Sequence, residues 1–167
     1  MKKIIYKNKL LVLVLAALVT FSNCTSNKNI GNGNSTLSAS SVKDMIDSKK
    51  FMFVAEMVNP LRGRNRYLTS RYDVSVSKDS LVSYLPYFGR AYTAPLNSSE
   101  AGIQFTSTNF SYNATQLKSN KWQVVIKPND VSAGPELSFT IFDTGSASLV
   151  VTSTSKDPIS FTGHLKQ

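Results

Sequence analysis

The chain has 167 residues, with 19 lysines and arginines against 10 aspartates and glutamates and a formal net charge of +9. That length holds one domain with a sizeable core, and a single cysteine excludes any disulfide within the chain. Four of the lysines lie in the first nine residues; without them the balance is 15 to 10, or +5, too small an excess for a nucleic-acid binder.

Lys2, Lys3, Lys7 and Lys9 precede an apolar run from Leu10 to Val19, and Phe21-Ser22-Asn23-Cys24 follows. The run is about a dozen residues, short of the roughly 20 that cross a hydrocarbon core, and fits a signal-peptide h-region behind a basic n-region. No Ala-x-Ala cleavage site follows it. Residues 1–23 therefore read as a lipoprotein signal peptide, with the small Ser22 two positions before Cys24, and Cys24 as the lipidated first residue of the mature protein. Lipidation takes the only thiol out of the domain, which leaves the core to stabilise itself.

Residues 24–40 are mostly Asn, Ser, Thr and Gly, with Ile30 and Leu37 the only large apolar side chains. Such a stretch buries too little to offset its ordering entropy and reads as a flexible tether, with a reach of roughly 20–25 Å. One domain is expected over residues 41–167, and it opens on a helix. Ser40 or Ser41 is the candidate cap, Asp44 suits the positive end of the dipole, and Val42, Met45 and Ile46 share a face. Lys49 and Lys50 close the helix before Phe51, where the pattern changes period.

From Phe51 onward apolar residues alternate. Phe51, Phe53, Ala55 and Met57 form one set, and Leu68, Tyr72, Val74 and Val76 the next. A strand from Ser80 to Tyr84 runs up to Pro86. Ile103 and Phe105 are separated from Phe110 and Tyr112 by a phase shift, and then come Trp122, Val124 and Ile126. Leu137, Phe139 and Ile141, then Ala147, Leu149 and Val151, then Ile159, Phe161 and Leu165 complete the series. Period two buries one face of a sheet and wets the other. Turn residues stand between the sets, among them Asn59-Pro60 with Gly63, Lys78-Asp79, Asn129-Asp130 and Asp143-Thr144-Gly145. The expected fold is mostly β, an antiparallel sandwich or a partly closed barrel with one N-terminal helix.

Leu85-Pro86-Tyr87-Phe88-Gly89-Arg90-Ala91-Tyr92 is the densest local signal. Its proline, glycine and aromatics, with Ala94-Pro95 just beyond, exclude a regular helix or a central strand. Two readings remain. The aromatics plug one end of the sheet, with Arg90 stacked on a ring or bonded to loop carbonyls; or Tyr84, Tyr87, Phe88 and Tyr92 offer ring faces and hydroxyls to a ligand, with Arg90 supplying an anion contact.

The same segment, with Phe53-Val54-Ala55-Glu56, Asn59-Pro60-Leu61-Arg62-Gly63, Gly102-Ile103-Gln104-Phe105 and Pro158-Ile159-Ser160-Phe161-Thr162-Gly163, resembles domain of unknown function 4251, found mainly in Bacteroidetes lipoproteins. The resemblance runs from about Lys49 to Leu165. It implies an envelope location and brings no activity, hence no catalytic residues. In that lineage acidic residues just after the lipidated cysteine resemble a surface-export signal. None follows Cys24 here, so the expected place is the outer membrane facing the periplasm.

Arg62, Arg64, Arg66 and Arg71 form a second cluster with Tyr67 and Tyr72. On an extended segment Arg66 shares a face with Leu68 and Tyr72, whereas Arg71 falls on the other, so the arginines do not make one stripe. They read either as a solvated hairpin with Arg71 near Asp73, or, at Arg62, Arg64 and Arg66, as an anion contact for lipid headgroups, lipopolysaccharide phosphates or peptidoglycan carboxylates. Asp79-Ser80-Leu81 fits a short O-glycosylation pattern, with Ser80 as acceptor.

Catalytic signals are sparse. His164, the sole histidine, shares a strand side with Ser160 and Thr162 and reads as solvent-facing. No Gly-x-Ser-x-Gly elbow, phosphate loop or metal-ligand spacing is present. The carboxylates able to pair as acid and base are Glu56, Asp73, Glu136 and Asp143, with Glu56 expected on an exposed face. The sequence leads to the expectation of a lipid-anchored envelope protein without cofactor or metal, a non-catalytic domain binding a glycan, lipid or envelope partner; the alternative is a small carboxylate-dependent hydrolase acting on glycan or cell wall.

Overall fold

The computed structural model describes residues 37–92 and 102–167; the signal peptide, Cys24 and most of the proposed tether lie outside the described residues. The described chain falls within one compact unit, Thr36–Gln167. It contains helix α1 (Ala39–Ser48) and strands β1 (Phe51–Pro60), β2 (Arg66–Val76), β3 (Leu81–Leu85), β4 (Ile103–Ser107), β5 (Phe110–Lys118), β6 (Lys121–Pro128), β7 (Glu136–Phe142), β8 (Ser146–Thr152) and β9 (Ile159–Lys166).

Each run of alternating residues becomes a strand, and all of them join one antiparallel sheet in the order β4-β3-β2-β1-β9-β8-β7-β6-β5. The sheet curls into a partly closed barrel, the second of the two forms allowed by the alternation. Sequence neighbours are sheet neighbours everywhere but at the joins β1/β9 and β4/β5. The first and last strands pair, which leaves β4 and β5 as the two edges although only Thr108 and Asn109 separate them along the chain.

The concave face is apolar. Phe53, Phe139 and Phe161 are fully enclosed, along with Leu81, Leu85, Ile126, Leu137, Ile141, Leu149 and Ile159. Phe139 is the hub, meeting Phe51 edge-on at 5.8 Å and Phe53 at 5.7 Å. Such a side chain contributes about 1.5–3 kcal/mol by leaving water, with T-shaped pairs adding to it.

Helix α1 presents Val42, Met45 and Ile46 to this core, as their spacing predicts. Its start differs from expectation. Ser38, not Ser40 or Ser41, caps it by accepting the Ser41 amide at 3.2 Å, and both later serines lie inside the helix. At the other end Lys49 adopts a left-handed conformation (φ 54°), and the Lys49 and Lys50 amides donate to Ile46 and Met45 carbonyls. Three contacts fix the helix on the sheet. The Leu37 side chain covers Gly145 in the β7–β8 turn, Lys43 lies over the Trp122 ring of β6, and the Tyr112 hydroxyl of β5 donates to Ile46 O at 2.9 Å.

Strand β1 carries the second departure. Its inward alternation holds through Ala55, then slips, and Val58 rather than Met57 is buried. Ala55 faces Gly163 and Met57 faces Thr162, so Glu56 is an extra residue with no opposite number on β9. On the β2 side Ala55 pairs with Tyr72 and Met57 with Tyr67, so Leu68 to Arg71 have no partner on β1. The backbones close in at this bulge: a Cβ on Gly163 would stand 1.9 Å from Val54 O.

Candidate functional site

The residues from Leu85 to Tyr92 fold back against the β8–β9 turn. Leu85 and Pro86 are buried and Tyr87 is half-buried, with its hydroxyl donating to Arg90 O (2.7 Å) and Asp157 O (3.1 Å). The Asp157 amide returns a bond to Arg90 O (2.9 Å), the Tyr92 amide donates to Ser155 O (2.8 Å), and Ala91 bridges to Lys156. Lys156 sits over the Tyr87 ring and donates to Gly102 O at 2.6 Å. Gly89 allows this knot, because a Cβ there would stand 2.5 Å from the Tyr87 hydroxyl.

The loop therefore divides. Tyr87 anchors it, as the plugging reading of the aromatics expects. Phe88, Gly89, Arg90 and Tyr92 face outward, with Phe88 at 41% and Tyr92 at 60% exposure. Tyr92 donates its hydroxyl to Asp157 Oδ1, which together with desolvation pushes the phenol above its usual range, against a smaller downward pull from Arg90 and Arg62. Burial, with Asp157 nearby, also pushes the Tyr87 phenol up. Tyr84, half-exposed on β3, stacks on Tyr72 at 5.7 Å.

The arginine cluster meets this loop. The Arg66 guanidinium lies 5.3 Å from the Phe88 ring centroid, and Arg62, in the β1–β2 turn beside positive-φ Gly63, acts electrostatically on Tyr92. Two groups separated by some 20 residues of sequence thus share one surface. Arg64 is exposed between Arg62 and Arg66. Arg71 stands apart, bonded to Asp73 (3.1 Å) and the Met52 sulfur, as the solvated-hairpin reading has it.

Ser80 lies part-buried in the β2–β3 turn, sharing a 2.9 Å hydrogen bond with the Ser77 hydroxyl. The four carboxylates weighed for hydrolysis are spread over β1, β2, β7 and the β7–β8 turn, and three have basic partners: Glu56 with His164 (3.0 Å), Asp73 with Arg71 and Glu136 with Lys127 (2.8 Å). The Glu56–His164 pair sits on the exposed face at the bulge. Each residue's exposure was legible in the strand pattern; their meeting was not, because it depends on the extra residue in β1. Among the described residues no three His, Cys, Asp or Glu side chains group to hold a metal, and no helix is long and apolar enough to cross a membrane.

Sheet, helix and loop define a curled antiparallel β domain in which the Leu85–Tyr92 loop meets Arg62 and Arg66 of the β1–β2 hairpin. The family model for Domain of unknown function (DUF4251) matches residues 34–165, and the chain belongs to that family. The crystal structure of a DUF4251 family protein from Bacteroides eggerthii is similar, with 12% identity and a TM-score of 0.57 over 78% of this chain and 88% of that one. At that identity the likeness is one of fold. No curated protein matches the chain.

Proposed function

We propose that this is an envelope protein anchored through lipid on Cys24, and that it acts by binding, using the outward half of the Leu85–Tyr92 loop to hold a glycan. One observation carries the reading: the Phe88 and Tyr92 rings are exposed on a loop whose backbone is already fixed by Tyr87 and the β8–β9 turn. Aromatic faces in a preset geometry bind at a lower ordering cost than a mobile loop would. Tyr92 keeps a polar edge through Asp157, which suits a ligand with both apolar faces and hydroxyls.

The test is retention of the detergent-solubilised full chain on a glycan array. Wild type is expected to bind a subset of glycans, and Phe88→Ala with Tyr92→Ala to lose at least about tenfold in affinity. Equal retention of both forms would sink the loop as the contact surface. Anchoring has its own test: Cys24→Ser is expected to abolish lipid labelling and membrane recovery, and unchanged labelling overturns it.

A further inference from the structure

Among the described residues, the surface around the loop has more cations than carboxylates that engage them. Arg62, Arg64, Arg66 and Arg90 are all exposed, and none has an ion pair among the described residues. The carboxylate within reach, Asp157, already has Oδ1 taken by the Tyr92 hydroxyl. Arg66 is held over the Phe88 ring, and Arg90 is fixed through its carbonyl by both Tyr87 and the Asp157 amide. Guanidinium groups without a carboxylate partner keep N–H donors that match a carboxylate or phosphate. Among the described residues Asp157 Oδ2 has no side-chain partner and can accept from hydroxyls. A lipid phosphate repels that oxygen, whereas an acidic sugar carries ring hydroxyls beside its anionic group that can donate to it while the anion sits on the arginines.

We propose that the ligand of this surface is an acidic carbohydrate, with its anionic group on Arg62, Arg66 and Arg90 and its ring on the Phe88 and Tyr92 faces. This rests on the binding reading above and adds the ligand's charge. Arg62 and Arg66 come from the β1–β2 hairpin and Arg90 from the loop, so the site exists only because the fold joins them.

The experiment titrates the detergent-solubilised full chain, by calorimetry, with oligogalacturonate, hyaluronan and chondroitin oligomers, each beside its carboxyl-esterified counterpart. At least one acidic oligomer is expected to bind about tenfold or more tighter than its ester, with the advantage shrinking at high salt. Arg62→Gln with Arg90→Gln is expected to erase the acid-over-ester ratio, while Phe88→Ala weakens the ester as well as the acid. Both variants sit on exposed side chains, and an unchanged melting temperature confirms their folding. Equal binding of acid and ester overturns the inference and leaves the binding reading intact. Binding of phosphatidylglycerol vesicles without binding of any oligomer overturns it in favour of a membrane surface. Failure of every oligomer, acid and ester, overturns the inference, and the glycan array decides the binding reading separately.

Discussion

Tyr112 shows how much one hydroxyl does here. It ties β5, a sheet edge, to the last turn of α1 through Ile46 O, with Lys49 5.2 Å from its ring centroid. Burial pushes its phenol well above the ordinary tyrosine range. The folded state thus favours the neutral form, and the associated stability is complete below the unfolded value near 10 and lost as pH rises above it. Tyr112→Phe is expected to cost about 0.5–1.5 kcal/mol in urea unfolding at neutral pH and to flatten the alkaline decline. An unchanged alkaline slope would contradict the assignment. Gly163 is a matter of space. A Cβ there meets Val54 O and C of the neighbouring backbone, which cannot yield as a flexible side chain would. Gly163→Ala is expected to cost at least about 1–3 kcal/mol, and a variant as stable as wild type would mean the β1 bulge is not as drawn.

Strands were the legible elements. From Trp122 to Leu165 the apolar period of two places the residues of β6 to β9 as they are found, because each strand buries one face and little else competes. Strand β1 was legible only to Ala55: a one-residue bulge leaves no mark in composition, so Met57 and Val58 exchange sides unannounced. The helix face was readable from Val42, Met45 and Ile46, but its start was expected at Ser40 or Ser41, and the cap is Ser38, an earlier serine of the same kind. With Ser38 as the cap, Leu37 just before it lies against Gly145. The two alternatives predict different mutants. Ser38→Ala is expected to cost about 1 kcal/mol in denaturant midpoint and Ser40→Ala little; the reverse order would move the cap back inside the helix.

At the scale of the molecule, the pairing of β1 with β9 and the meeting of the Arg62–Arg66 segment with the Phe88–Tyr92 loop joined residues too distant in sequence for local pattern to connect. The same is true of the contact that ties the far end of β4 to the opposite edge of the sheet. Asp130 reads as a turn residue beside Asn129, yet its carboxylate accepts from the Ser107 hydroxyl and from the Thr108 (2.9 Å) and Asn109 (3.1 Å) amides, clasping the β4–β5 turn to the β6–β7 loop. Asn129 adds its amide to Asn109 O at 2.8 Å. The two edge strands lack a ladder between them, so this clasp holds them where hydrogen-bonded pairing does not. The Ser107 hydroxyl first, and then the Thr108 amide, hold the Asp130 carboxyl below its usual value. A lowered value in the folded state gives stability that is present above the unfolded value near 3.9 and lost as pH falls through the folded one. The melting temperature of wild type is therefore expected to drop on acidification below about pH 4, and that of Asp130→Asn, lower at neutral pH, to drop less over the same interval. Parallel acid slopes for the two proteins would show that the clasp does not depend on the charge. A shallower slope in the variant would place the acid sensitivity of the curl at the β4–β5 seam, where the sheet stops pairing and a carboxylate takes over.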